Sequence, residues 1–408
     1  MGRQTMTRKL YQENSYQRKF RATVLDKKVE KETSVVTLDQ SYFYPNAGGQ
    51  LADRGTIEGL PVIDVQEIDG NIIHYIKGDI AIKQGDMITA EIDWKRRFDH
   101  MQQHSGQHVL SGILISIWQK ETLSYHMGEE VCTLDISYTS LNEKKAEHLE
   151  EMANQVIYDN KTIRQYYLGG NSNDISEKLR KKQQLHEKLR IVEIDKFDLT
   201  ACCGTHCKNT GEIAIIKIIG WENRKDKTRL SFLCGHRALA DYRKKHQIVK
   251  RLSGFFTVSV TKLEEKFAQL SIEKNELTKR FNKIEKELIR YEAEELKVKY
   301  SKNERDYFLV SKIFSEKSVH LLRQISFMLI NEKKCLVIIG AEKPEPVLCL
   351  ACSQDFAIHM GDLIRQIMIE YNGKGGGSNF MAVGKLKRST DLSKVFRKIT
   401  KLFFQKVQ

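Results

Sequence analysis

The sequence predicts an α+β protein in four parts: an N-terminal β-barrel-like domain over residues 1–98, an α/β domain over 99–240, a helical, coiled-coil-like segment over 241–301 and a compact α/β domain over 302–408. Three observations carry this prediction. Short apolar runs with period two fill the stretch before residue 98, apolar recurrence at three and four residues begins near residue 100, and a charged heptad pattern follows residue 240. A chain of 408 residues, 40% hydrophobic and 29% charged, is long enough for two or three cores and has a globular balance.

The elements follow in order. SVVTL (34–38), NIIHYI (71–76) and MITAEIDW (87–94), separated by Gly and Asp turns, predict strands. Met101, His104, His108, Ser111 and Ile115 recur at helical spacing, and ETLSYHMGEEVCTLDISY then returns to strand alternation. Residues 142–160 predict a helix with Ala146, Leu149, Met152, Ala153, Val156 and Ile157 on one face. The basic run EKLRKKQQLHEKLR predicts a further helix, and EIAIIKIIGW with TRLSFLCG a hairpin. Leu263, Phe267, Leu270, Leu277, Phe281, Ile284, Leu288 and Tyr291 keep a 4-3 spacing, which fits a dimeric coiled coil or a helical hairpin equally. The last hundred residues alternate strands (FLVSKIF, CLVIIGA, PVLCLAC) with helices (SVHLLRQISFMLI, MGDLIRQIMIEY) and end in a glycine-rich stretch and a basic helix.

No run approaches about 18 uninterrupted apolar residues, and the first twenty residues lack the apolar core of a secretory signal, so no membrane span and a cytoplasmic location are expected. Eight cysteines at uneven spacing do not resemble a disulfide framework; clustered Cys202, Cys203 and Cys207 suggest metal ligation, and the others small core residues. A net charge of +14 suggests a polyanionic partner.

HMQQHSGQHVLS (100–111) places His104 and His108 one helical turn apart, about 6 Å along the axis, where both imidazoles can reach one ion; His100, about 12 Å from His108, cannot join them. Zinc takes three or four nitrogen or sulfur ligands, so a second short pair is required. ACCGTHCKNTGEIA supplies it in Cys202 and His206, with Cys203 and Cys207 as competitors that spacing does not remove. HSGQH lacks the glutamate of a zinc metalloprotease helix, which disfavours peptide hydrolysis by that machinery.

HSGQHVLS and CCGTHCKNTGEI, preceded by FYPNAGGQLADRG (43–55), closely resemble the editing domain of alanyl-tRNA synthetase and its free-standing AlaX-type relatives, over roughly residues 20–240. The resemblance implies that His104, His108, Cys202 and His206 hold Zn2+, and that Gly48, Gly49 and Gln50 form a glycine-rich loop near the aminoacyl end of a tRNA. It further implies that residues after the helix read a serine hydroxyl, here Thr122 and His126, expected on one strand face; no general base is secured by spacing. The sequence departs from the family at Asn46, Cys203 and His236. GKGGGSNFMAVG (373–384) resembles the C-terminal C-Ala domain of the synthetase, with departures at Ser378, Asn379 and Phe380.

Only about 100 residues precede the histidines, so the expectation is a chain that edits tRNA without charging it. The implied activity is hydrolysis of the ester of mischarged tRNA(Ala), chiefly with serine and secondarily with glycine, because a hydrophobic pocket rejects an added hydroxyl only about 100-fold. Arg180, Lys181 and Lys182, with Lys374, Lys385, Lys387 and Arg388 in the tail, are the expected tRNA contacts, and the helical segment or the C-terminal domain the expected route to a homodimer. The competing expectation is a non-catalytic, zinc-stabilised tRNA-binding protein; a metal-dependent hydrolase of another ester or peptide ranks below both.

Overall fold

Within the first unit, residues 1–252, strands Lys19–Glu30, Thr33–Leu38, Asn71–Lys77, Leu60–Ile68, Gly55–Ile57 and Met87–Ile92 pair antiparallel in that order and close into a barrel. The computed structural model describes residues 6–169, 179–180, 188–300 and 307–407. Alternation along each strand sends Val36, Leu38, Val65, Ile72, Ile76 and Ile88 into the barrel core, and closure leaves no open sheet edge. Two-residue turns at Glu58-Gly59 and Asp69-Gly70, all four residues at positive φ, join neighbouring strands, the backbone sign that matches strand twist.

Helix α1 spans Trp94–Trp118 and opens with the Asp93 side chain accepting the Arg96 N–H. The strand expected to reach residue 94 therefore ends at Ile92, and the expected boundary at 98/99 falls inside a helix. Burial explains why. Arg97 is fully buried, ion-paired with buried Asp53, and donates to Ser15 O at 2.7 Å, so the first turn of α1 is tied to the segments that flank the barrel strands.

The rest of α1 packs against α2 (Glu143–Tyr158) and an antiparallel sheet ordered Ile216–Asn223, Thr228–Cys234, Cys132–Ile136 and Thr122–Met127. Met101, Val109, Leu110 and Ile113 meet Leu149, Ala153, Leu134 and Phe232 in this core. A smaller sheet joins Ile163–Gly169, Lys188–Ile194 and Asp198–Ala201. The expected basic helix is a strand from Lys188 onward; most of its remainder, Lys181 and Lys182 included, lies outside the described residues. Helix α3 (Gly235–Phe256) runs through the expected boundary at 240/241.

The second unit, residues 253–408, begins with α4 (Leu263–Lys299), one uninterrupted helix. Most of its heptad seam faces solvent: Phe267, Leu277, Phe281, Ile284, Leu288 and Tyr291 are exposed, whereas Ile289, Ala293 and Leu296 are buried. Those three pack with α5 (Val319–Leu329) on one face of a sheet ordered Phe308–Glu316, Cys335–Lys343, Val347–Cys352, Met381–Lys385 and Lys374–Gly377. Helices α6 (Met360–Glu370) and α7 (Leu392–Val407) cover the other face. Buried on both sides, the strand from Cys335 to Ala341 is continuously apolar. The glycines of GKGGG form the edge strand of this sheet.

Candidate metal centre

Helix α1 presents His104 and His108 from one face, and the loop after strand Asp198–Ala201 brings Cys202 and His206 against them. Sγ of Cys202 lies 3.4 Å from Nε2 of His104 and 3.6 Å from Nε2 of His206, whose Nε2 is 3.2 Å from Nε2 of His108. Zinc bond lengths of about 2.0–2.3 Å give tetrahedral edges of about 3.3–3.6 Å, so these separations fit one ion held by imidazole and thiolate. The competition among cysteines is resolved by placement. Cys203 is exposed, Cys207 is packed into the α1 core with its N–H donating to Ser105 Oγ, and neither joins the cluster. His100 is buried one turn earlier, outside it.

Burial depresses His104 and His206 far below the ordinary histidine range, and neighbouring imidazoles add to the effect. Burial also pushes the Cys202 thiol up to about 11. Without an ion the centre is thus neutral, and binding one must displace the thiol proton.

Surrounding groups fix the donors. Gln50 Oε1 accepts from His104 Nδ1 at 2.8 Å and from Thr205 N at 3.1 Å, while its Nε2 donates to Thr205 Oγ1 at 2.9 Å. The His104 proton is held on Nδ1, which leaves the Nε2 lone pair for a metal. Asp198 Oδ2 lies 3.5 Å from His108 Nδ1 and accepts from Arg180 Nη1 at 2.9 Å. Arg190 Nη1 bridges Cys202 O (2.7 Å) and Gly204 O (3.0 Å), bracing the ligand loop. At Gly204 a side chain cannot fit: a Cβ would lie 2.2 Å from Cε1 of His104.

The expected substrate loop divides in two. Gly48, at φ +56°, is exposed near the Tyr44 hydroxyl, and Gly49, at φ +80°, is half-buried beside Tyr125, whose carbonyl would sit 2.6 Å from a Cβ there. Gln50 is fully buried and turned toward His104 rather than toward open space. Thr122 and His126 do not share a face. A bulge pairs Ser124 with Asp135 but Thr122 with Ile136, which moves Thr122 to the core side, 2.7 Å from Ser111 Oγ, and leaves His126 exposed on the other. Tyr125, which lies between the two favoured residues in the stretch expected to read the serine hydroxyl, stacks on His104 with centroids 5.5 Å apart. Arg180 faces inward to Asp198, its side chain 12% exposed, whereas Lys374, Lys385, Lys387 and Arg388 are exposed. Asp198, Thr205 and Arg190 escaped sequence reasoning because no local spacing marks them: the Gln50–Thr205 contact alone spans 155 positions.

Comparison with known proteins gives two family matches: residues 189–231 match the threonyl and alanyl tRNA synthetase second additional domain, and residues 4–96 match the class II (A) tRNA synthetases. The alanyl-tRNA editing protein AlaX-L of Pyrococcus horikoshii is 28% identical over 94% of this chain and 95% of its own length. Alanine–tRNA ligase of Pyrococcus furiosus is 31% identical over 97% of this chain, which spans 43% of that protein. The crystal structure of the C-Ala domain from Aquifex aeolicus alanyl-tRNA synthetase aligns with 24% of this chain and 94% of its own at 22% identity and a TM-score of 0.23. Motif order and near end-to-end similarity agree: the chain is similar to an alanyl-tRNA editing protein along almost its whole length, and to a part of alanine–tRNA ligase.

Proposed function

We propose that this chain is a trans-editing hydrolase that deacylates mischarged tRNA(Ala), seryl-tRNA(Ala) first and glycyl-tRNA(Ala) second. The observation that carries this reading is the cluster of His104, His108, Cys202 and His206 lying beside a glycine loop, in a chain similar over 94% of its length to an alanyl-tRNA editing protein. Bound there, Zn2+ would supply Lewis-acid polarisation of the ester or an anchor for the aminoacyl group.

The chain's own residues do the rest. Gln50 orients His104, Asp198 lies behind His108, and Tyr125 walls the centre against the barrel loop. Gly48 and Gly49 let backbone approach an aminoacyl end closely, and the Thr122–Ser111 hydroxyl pair offers polar partners for a serine side chain. The C-terminal region would serve as a C-Ala-like tRNA handle. Lys374 and Lys385 stand directly opposite on paired strands, a like-charge pairing that a phosphate between them relieves. The exposed seam of α4 suits a homodimer, and a cytoplasmic setting completes the reading. Among the described residues no helix is long and apolar enough to cross a membrane.

One observation favours a second reading, a zinc-stabilised tRNA-binding protein: four protein donors lie within 4.8 Å of one another, three of their separations at 3.2–3.6 Å, and four protein ligands are the arrangement of structural sites. The test is release of labelled serine, glycine or alanine from tRNA(Ala), with Cys202→Ala alongside. Rapid loss of serine with alanine spared, abolished together with bound zinc in the variant, is expected. Tight tRNA binding with no release from any of the three would establish the second reading.

A further inference from the structure

Beside the N-terminus of α1 the barrel wall carries an open groove of about 850 Å³, lined by Arg18, Arg54, Thr56, Ile63, Glu91 and Trp94 among others. Its basic groups are arranged rather than scattered. The guanidinium of Arg18 lies 4.2 Å over the Trp94 ring, Trp94 is 5.5 Å from Tyr16, and the Lys208 ammonium lies 4.5 Å over Tyr16. A row of cation, aromatic, aromatic, cation thus runs from the groove to Lys208, two residues beyond the cluster's His206. Arg18 and Lys208 are exposed and, among the described residues, their side chains form no salt bridge; Glu212 meets Lys208 only at its backbone N–H, 3.3 Å away.

The neighbouring acids are engaged elsewhere. Glu91 pairs with Lys19, Asp93 caps the Arg96 N–H, Glu129 pairs with Arg96 at 2.8 Å and more distantly with Arg54 at 3.9 Å, and Glu212 bonds the Tyr16 hydroxyl. A guanidinium held 4.2 Å over an indole is restrained and loses less freedom on meeting a phosphate than a free one would. Trp94 and His104 are ten residues apart on one helix, about 15 Å along the axis, a span of on the order of four stacked nucleotide steps.

The geometry points to this groove as the seat of the RNA strand that leads to the ester, with Arg18 and Arg54 on its backbone phosphates and Lys208 on the phosphate nearest the metal centre. The assignment rests on the tRNA-editing reading and adds to it a surface and a register: the strand enters along the first turns of α1 and its end reaches the cluster three turns later. Arg18 and Lys208 are phosphate contacts, and Trp94 and Tyr16 are positioning residues that hold them.

The test measures binding of a fluorescent, uncharged acceptor-stem minihelix of tRNA(Ala) ending in CCA to the full zinc-loaded chain, by anisotropy across a salt series. For Arg18→Ala with Arg54→Ala, Kd should rise about tenfold and the slope of log K against log salt should shrink by about 1.4 to 1.8, the signature of two lost phosphate contacts. Arg18→Lys should give an intermediate loss, since lysine keeps the charge and not the planar stack. Arg224→Ala, on the hairpin between Ile216–Asn223 and Thr228–Cys234, should leave Kd and slope as in the unaltered chain. An unchanged slope in the double variant, with zinc content retained, overturns the groove assignment alone. Unaltered protein that binds the minihelix but releases no serine from separately prepared seryl-tRNA(Ala) overturns the editing reading and leaves the groove test readable; unaltered protein that binds no RNA overturns both.

Discussion

Gln50 reaches across 54 residues to hold Nδ1 of His104 at 2.8 Å, and the same side chain grips Thr205 in the loop that carries Cys202 and His206. One amide thereby positions both halves of the metal centre. Gln50→Leu should weaken zinc affinity about 10- to 100-fold, the usual consequence of removing such a partner, while Gln50→Glu should retain most of it. Chelator competition with a colorimetric zinc indicator measures both, independently of catalysis.

Gly204 sits where a methyl group would collide with the His104 ring. Gly204→Ala should displace the ligand loop at a cost of about 1–3 kcal/mol, lowering both Tm and zinc content. A variant with unaltered zinc content would show that the loop has more room than its geometry indicates.

Asp53 and Arg97 form an ion pair closed to solvent, and Asp53 also accepts the Tyr44 N–H at 2.6 Å. Asp53→Ala leaves the guanidinium buried and unpaired, a loss of about 3–5 kcal/mol; Asp53→Leu with Arg97→Met should restore much of it. Thermal melts of both single variants and the pair, taken as a cycle, separate coupling from burial.

Stability should fall on acidification below neutrality. His74 is fully buried, hydrogen-bonded to Val36 O and Ser41 Oγ, and burial lowers it from 6.5 to about 4. Between pH 6.5 and 4 the unfolded chain takes up a proton that the folded chain refuses, so stability is retained above that window and lost within it. His100, buried and pushed down to about 3, acts in the same direction. In metal-free protein, the Tm of His74→Gln should start lower at pH 7 and fall less steeply to pH 4.5.

The helix bearing His104 and His108, the short Cys202–His206 pair and the alternating strands were legible because each is a local pattern. Asp93 was a readable helix start, obscured by treating MITAEIDW as one strand. Other features have no local signature. A single bulged residue, Leu123, is what sends Thr122 and His126 to opposite faces, and sequence alternation assumes no bulge. Gln50, Asp198 and Arg190 act through partners that only the folded chain brings near. The heptad spacing of α4 fitted a dimeric coiled coil or a helical hairpin equally; the span Leu263–Lys299 is one helix, but spacing cannot say whether a seam is covered, and here most of it faces water.

Cys202 and His104 are separated by 98 positions. An ion shared between them is therefore also a cross-link, closing a loop that contains α2, two of the four strands of the antiparallel sheet beside it and the smaller three-stranded sheet. Cross-links over loops of this size act mainly by restricting the open chain. Chelation should then loosen the whole enclosed stretch rather than the ligands alone, with proteolysis and amide exchange rising together between residues 109 and 201.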